Sequence, residues 1–146
     1  MNRRFDSVAD ILLAVASAPM HDPAALPGVD SLRSYLVASL TRTARTFTQA
    51  PIRRSASELL AAAAGDERIE SAVMQTVADW RVEGLDWVKS ARERGEIAPE
   101  VDGEALLDLA NGAVYYRLLW RGQVISEDEV GPLVDLILQG AAPPAQ

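Results

Sequence analysis

The run Ala91-Arg92-Glu93-Arg94-Gly95-Glu96-Ile97-Ala98-Pro99-Glu100-Val101-Asp102 decides how this chain folds, together with the two segments behind it. These are Asn111-Gly112-Ala113-Val114-Tyr115-Tyr116-Arg117-Leu118-Leu119-Trp120-Arg121-Gly122 and Val134-Asp135-Leu136-Ile137-Leu138-Gln139-Gly140. Gly95 closes one helix and Asp102 is placed to cap the next. Gly122 closes that one, and Ser126 with Glu129 three residues on forms a capping box for a last helix ending at Gly140. Between Ala105 and Trp120 the only strongly polar residues are Asp108, Asn111 and Arg117. At about 100° per residue, Leu106, Leu109, Ala110, Ala113, Tyr116 and Trp120 form one face. Leu107, Val114 and Leu118 form a second, and Tyr115 with Leu119 begins a third. A helix apolar nearly all round is buried nearly all round. The last helix, with Val130, Leu133, Val134, Leu136, Ile137 and Leu138, is similarly oversupplied. One small core cannot cover both helices, so a second copy of the chain is expected to cover the remainder. The face assigned to that contact is Leu107, Val114, Leu118, Val130, Leu133, Val134 and Ile137.

Upstream of this region the pattern stays helical, and no segment reads as a strand. A first helix is expected over roughly Arg3–Ala16, with Phe5, Val8, Leu12 and Val15 on one stripe and no capping residue before it. Pro19, Pro23 and Pro27-Gly28 make an extended break. Asp30 is placed to cap a second helix to about Thr48, whose buried stripe is Leu32, Leu36, Leu40 and Phe47. Pro51 opens a third, alanine-rich helix to about Ala64, ended by Gly65. Asp66 caps the fourth and longest, to about Arg94, with a stripe of Ile69, Val73, Val77, Trp80, Gly84, Trp87, Val88 and Ala91. The expected organisation is one all-α domain over residues 1–140 and a frayed tail over 141–146.

Composition narrows the function. With 146 residues the chain is long enough for one real core. Hydrophobic residues make up 49% and aromatic ones 5%, which favours packed helices over sheets. The absence of cysteine rules out disulfides, cysteine zinc sites and a thiol nucleophile. A net charge of −7 repels phosphate, so this chain by itself is not expected to bind nucleic acid. Arg3, Arg4, the run Ile11–Ala16 and Ala16-Ser17-Ala18 imitate a secretory leader. Asp6 and Asp10 interrupt it, and its apolar run is only about six residues, so a cytoplasmic location is expected, with no membrane span.

Catalysis is poorly provided for. His21, the sole histidine, lies between prolines and reads as a solvated loop residue. No metal-binding spacing or glycine-rich phosphate loop occurs, so neither metal nor cofactor is expected. The acids Asp66-Glu67-Glu70 and Glu127-Asp128-Glu129 sit where first helical turns favour negative charge. A free-standing helical enzyme or small-molecule carrier would have to converge Tyr115, Tyr116, Asn111 and Arg117 on one cavity. Arg117 itself is expected to be structural, paired with an acid such as Asp108 or Asp135 of either subunit or stacked on Trp120, the alternative being a ligand-facing cation for an anionic effector. A ligand pocket between helices is the sharper reading, its candidate lining being Phe47, Met74, Val77, Trp80, Tyr115 and Tyr116.

In the order and spacing of these elements the chain resembles the C-terminal domain of the TetR/AcrR family of bacterial transcriptional regulators. The matching features are Arg94-Gly95-Glu96-Ile97, Val101-Asp102, Gly112 within Gly-Ala-Val-Tyr-Tyr-Arg-Leu-Leu, and Leu133 to Gly140. The resemblance implies a six-helix ligand-binding domain whose last two helices form a four-helix bundle with those of a second subunit. It implies a homodimer, a small apolar or amphipathic effector, and DNA binding through an N-terminal helix-turn-helix module. That module has no counterpart in this sequence, which is expected to begin within the helix that joins the two parts. No DNA-binding residue of the family is therefore carried over to any position here.

Overall fold

Leu32–Thr48 is the helix around which the others gather (α1), and it packs against all four that follow. These are α2 (Ala50–Ala63), α3 (Glu67–Glu93), α4 (Gly103–Trp120) and α5 (Glu127–Ala141). The computed structural model describes residues 28–48 and 50–142, and all regular structure among them is helical. Five of the six expected helices are therefore present. The expected first helix, Arg3–Ala16, lies outside the described residues, as does His21.

The ends of the helices follow local chemistry. Asp66 accepts from the Arg68 N–H at 2.9 Å and caps α3, while Asp102 accepts from the Glu104 and Ala105 N–H groups and caps α4. Gly95 at φ 73° turns the chain out of α3, where the Glu96 N–H donates to the Ala91 carbonyl at 2.9 Å. Glu129 reaches back to the Ser126 N–H at 2.9 Å at the start of α5. Two expectations are corrected. Ser31, not Asp30, caps α1, because the helix starts one residue later than expected and the Ser31 hydroxyl accepts from the Ser34 N–H. Ala141 belongs to α5 and not to a tail: it is buried, and its carbonyl accepts from the Ala98 N–H at 3.0 Å. Residues 143–146 lie outside the described residues.

The core runs along α1. Leu32, Tyr35, Leu36, Leu40 and Ala44 meet Val88 and Ala91 of α3, Leu106, Leu107, Ala110 and Val114 of α4, and Val130 and Val134 of α5. Ile97 and Ile125 fill it from the two connecting loops. Ion pairs set how the helices lie on one another. Arg33–Asp135 at 2.6 Å and Arg45–Glu127 at 2.5 Å tie α1 to α5, and Arg117–Glu129 at 2.8 Å ties α4 to α5. Exposed pairs of this kind add little stability each, so their contribution is mainly to alignment. The α3–α4 turn is anchored differently. Glu96 Oε2 accepts from the Leu32 N–H at 2.9 Å, satisfying a first-turn donor of α1 from a residue 64 positions away.

Candidate functional site

The middle of α3 is where the helices part. Ile69 is buried near its start and Gly84, Val88 and Ala91 near its end, but no residue between Ile69 and Gly84 is fully buried. Those fourteen positions amount to roughly 21 Å of helix at 1.5 Å per residue. Beneath this span lies a cavity of about 130 Å³. Its floor is α1, through Tyr35, Leu36, Ser39, Leu40 and Thr43. Val77, Trp80, Arg81 and Gly84 of α3 cover it, and Leu107, Asn111 and Tyr115 of α4 close the side.

Gly84 permits this geometry. A Cβ there would stand 2.9 Å from Leu107 Cδ1 and 3.5 Å from the Tyr35 hydroxyl, so any larger residue would displace a wall of the cavity. The lining divides by chemistry. Leu36, Leu40, Val77 and Leu107 are aliphatic, and Trp80 and Tyr115 supply rings. Tyr115 meets the buried Phe47 edge-on at 5.7 Å, and burial pushes its phenol above the usual range. Tyr35 stacks on Trp87 at 5.4 Å. Burial pushes the Tyr35 phenol up to about 12; the Glu83 carboxylate adds to the rise, and Arg42 and Ser39 oppose it. Tyr35, Ser39 and Thr43, at four-residue spacing, place three hydroxyls along one side of α1. Asn111 uses its Nδ2 to donate to the Leu107 carbonyl at 2.9 Å. Arg81 is held by α4: Nη1 donates to Asp108 at 2.6 Å and Nη2 to the Glu104 carboxylate.

Three of the six residues expected to line a pocket do so: Val77, Trp80 and Tyr115. Phe47 is buried behind Tyr115. Met74 and Tyr116 are 65% and 59% exposed and face away. Tyr116 follows Tyr115 by about 100° around the helix, so the two cannot share one cavity. Sequence reasoning missed the hydroxyls of α1. The signal was there in Tyr35, Ser39 and Thr43, whose i, i+4, i+8 spacing flanks the apolar stripe. Tyr115, Tyr116, Asn111 and Arg117 do not converge, since Tyr116 is exposed and Arg117 is paired with Glu129. The expected partners of Arg117 are taken elsewhere, Asp108 by Arg81 and Asp135 by Arg33.

A second surface lies on the far side of α4 and α5. Leu109 and Trp120 are 63% and 80% exposed, and with Tyr116 they occupy one side of α4. On α5, Leu136 is 67% exposed. This corrects the face assigned from sequence. Leu107, Val114, Leu118, Val130 and Val134 are buried within their own chain, and Leu133 and Ile137 are half-buried against its core. The three apolar sides of α4 therefore have three surroundings. Leu106, Leu107, Ala110, Val114 and Leu118 enter the core, Asn111 and Tyr115 border the cavity, and Leu109, Tyr116 and Trp120 face outward.

The acid clusters have structural occupations. Asp66 caps α3, Glu127 pairs with Arg45, and Glu129 serves both Ser126 and Arg117. Among the described residues no three His, Asp or Glu side chains gather to hold a metal ion. No described helix is long and apolar enough to cross a membrane.

Residues 26–137 match the family described as "Tetracyclin repressor-like, C-terminal domain". Among solved structures, the chain is similar to that of the TetR family transcription regulator SCO0332, with 34% sequence identity and a TM-score of 0.69. The match covers 82% of this chain and 66% of that one, so the sequence spans a little under two thirds of the relative's length. No curated protein matches the chain.

Proposed function

Because the chain belongs to the tetracycline-repressor-like (TetR) family and matches its C-terminal domain, we propose that it is the ligand-sensing and homodimerising part of a non-enzymatic transcriptional regulator. The ligand is a small apolar or amphipathic molecule held between α1, α3 and α4. The observation that carries this reading is the cavity under the middle of α3, walled by rings and aliphatic groups with a few polar atoms among them. Occupancy favours one arrangement of α3 over another and so biases the attitude of helix-turn-helix modules supplied by sequence beyond this chain. A cytoplasmic location goes with that work.

The second subunit docks on the outward side of α4 and α5. Leu109, Tyr116, Trp120 and Leu136 are its anchors, with Leu133 and Ile137 at the border. Large apolar residues gathered on two adjoining helices are costly to leave in water, and a twofold contact covers both copies at once. Together the four helices form the intersubunit bundle. Sedimentation equilibrium tests the assembly, with a dimer expected at micromolar concentration and a monomer overturning it. A thermal-shift screen with amphipathic compounds tests the cavity, with a specific, saturable rise in melting temperature as the expected result.

A further inference from the structure

We infer that the cavity selects an uncharged, single-ring molecule bearing a hydrogen-bonding group at one edge. The inference rests on the cavity being the ligand site, and it concerns which chemistry that site admits. Size comes first. A dry cavity of about 150 Å³ accommodates benzene, so the 130 Å³ here suits one six-membered ring. Shape agrees, because Trp80 and Tyr115 offer flat surfaces to a planar guest.

The neutral polar groups of the lining stand on α1 and on α4. Tyr35, Ser39 and Thr43 follow one another along α1 at four-residue spacing, with the Tyr35 and Ser39 side chains hydrogen-bonded to each other. Thr43 already donates to the Ser39 carbonyl at 3.1 Å, which leaves its oxygen lone pairs to accept. Asn111 has committed Nδ2 to Leu107, which leaves its amide oxygen as an acceptor. A wholly apolar guest would strand these groups without water, at a cost that a guest with a hydroxyl avoids.

Charge is excluded by the surroundings. Arg81 is the only charged residue among the described residues of the lining, and Glu104 and Asp108 both hold its guanidinium from α4. That trio sets one guanidinium against two carboxylates. An anion approaching Arg81 would face the two carboxylates already paired with it. A cation would find no carboxylate among the described residues of the lining. Arg42, whose Nε and Nη2 are buried without a hydrogen bond, lies outside the lining, and its effect at Tyr35 is opposed by Glu83.

Isothermal titration calorimetry of the whole chain with phenol, toluene, benzoate and benzylamine tests the inference, in the millimolar range expected of such small probes. Phenol should bind at least about tenfold more tightly than toluene, and the two charged rings should bind more weakly than either. Asn111→Leu should bring phenol down to the level of toluene, with toluene binding retained. Ser39→Ala, which alters a single hydroxyl, should narrow the gap in the same direction if Asn111→Leu fails to fold. Toluene equal to phenol, or benzoate or benzylamine tightest, overturns the selectivity and leaves a ligand cavity standing. If none of the four binds and Trp80 fluorescence is unchanged, the cavity is not a ligand site and both readings fall.

Discussion

Gly84 and Leu107 share one volume: a Cβ on residue 84 would lie 2.9 Å from Leu107 Cδ1 and 3.1 Å from Cδ2, so α3 meets α4 through bare backbone. Gly84→Ala gains about 1 kcal/mol of helix propensity. It also forces the buried Leu107 out of its packed position, at a cost of about 1–3 kcal/mol. The expected net effect is a loss of about 1 kcal/mol, read from urea denaturation. Phenol affinity should fall as well, because the displaced Leu107 moves into the cavity. Unchanged phenol binding would detach Gly84 from the site.

Leu136→Asp and Trp120→Asp place a charge on the outward side of α5 or α4, where the single chain leaves both residues wet. Helicity by circular dichroism should persist while sedimentation shifts from dimer to monomer. Gly112 gives the complementary test. A side chain there meets nothing within 4 Å in the single chain. Gly112→Leu should therefore preserve or raise helix stability yet weaken association by at least about tenfold, about 1.4 kcal/mol. Dimers that tolerate all three changes would put the contact elsewhere.

The ion pairs make a prediction in acid. Glu127 beside Arg45, and Asp135 beside Arg33, are held below the usual carboxylate range by hydrogen bonds from those guanidiniums. Glu129 is lowered first by the Ser126 backbone and hydroxyl and then by Arg117. A carboxylate whose pKa is lower folded than unfolded stabilises above its unfolded pKa and loses that contribution as pH falls through the folded one. Melting temperature should thus drop as pH falls below about 4. The combined Glu127→Gln, Glu129→Gln, Asp135→Asn chain should start lower at pH 7 and decline less steeply.

In alkali the sign reverses. Tyr35 is raised to about 12, chiefly by burial, so its protonated form favours folding. That contribution is intact below the unfolded tyrosine pKa of about 10 and disappears as pH climbs through the folded value. Stability should decline between about pH 10 and 12, less so in Tyr35→Phe. Tyrosinate absorbance should show Tyr35 ionising only at the upper end of that window.

What the sequence revealed depended on whether the signal was local. Asp66, Asp102, Gly95 and Ser126 mark helix ends through contacts within a few residues, and each stands where it was read. The stripe Leu32, Leu36, Leu40 and Phe47 is buried throughout, because one helix face is a property of its own spacing. Which apolar side of α4 meets which neighbour is not local. Leu107 and Val114 looked as fit for a second subunit as Leu109 and Tyr116 did, and only the positions of α1 and α5 separate them. The partner of Arg117 escaped for the same reason. Asp108, Glu129 and Asp135 are chemically interchangeable, and the choice among them is made by how α3, α4 and α5 lie on one another.

Glu96 ties together two parts of the chain that periodicity would never associate. By holding the amide of Leu32, it makes the foot of α3 and the threshold of α1 one rigid joint. α3 also carries Trp80 over the cavity, so the helix that covers the site is fastened beyond its last turn to the first turn of α1. A shift of α3 over the cavity would therefore be felt at the Leu32 amide through this single hydrogen bond.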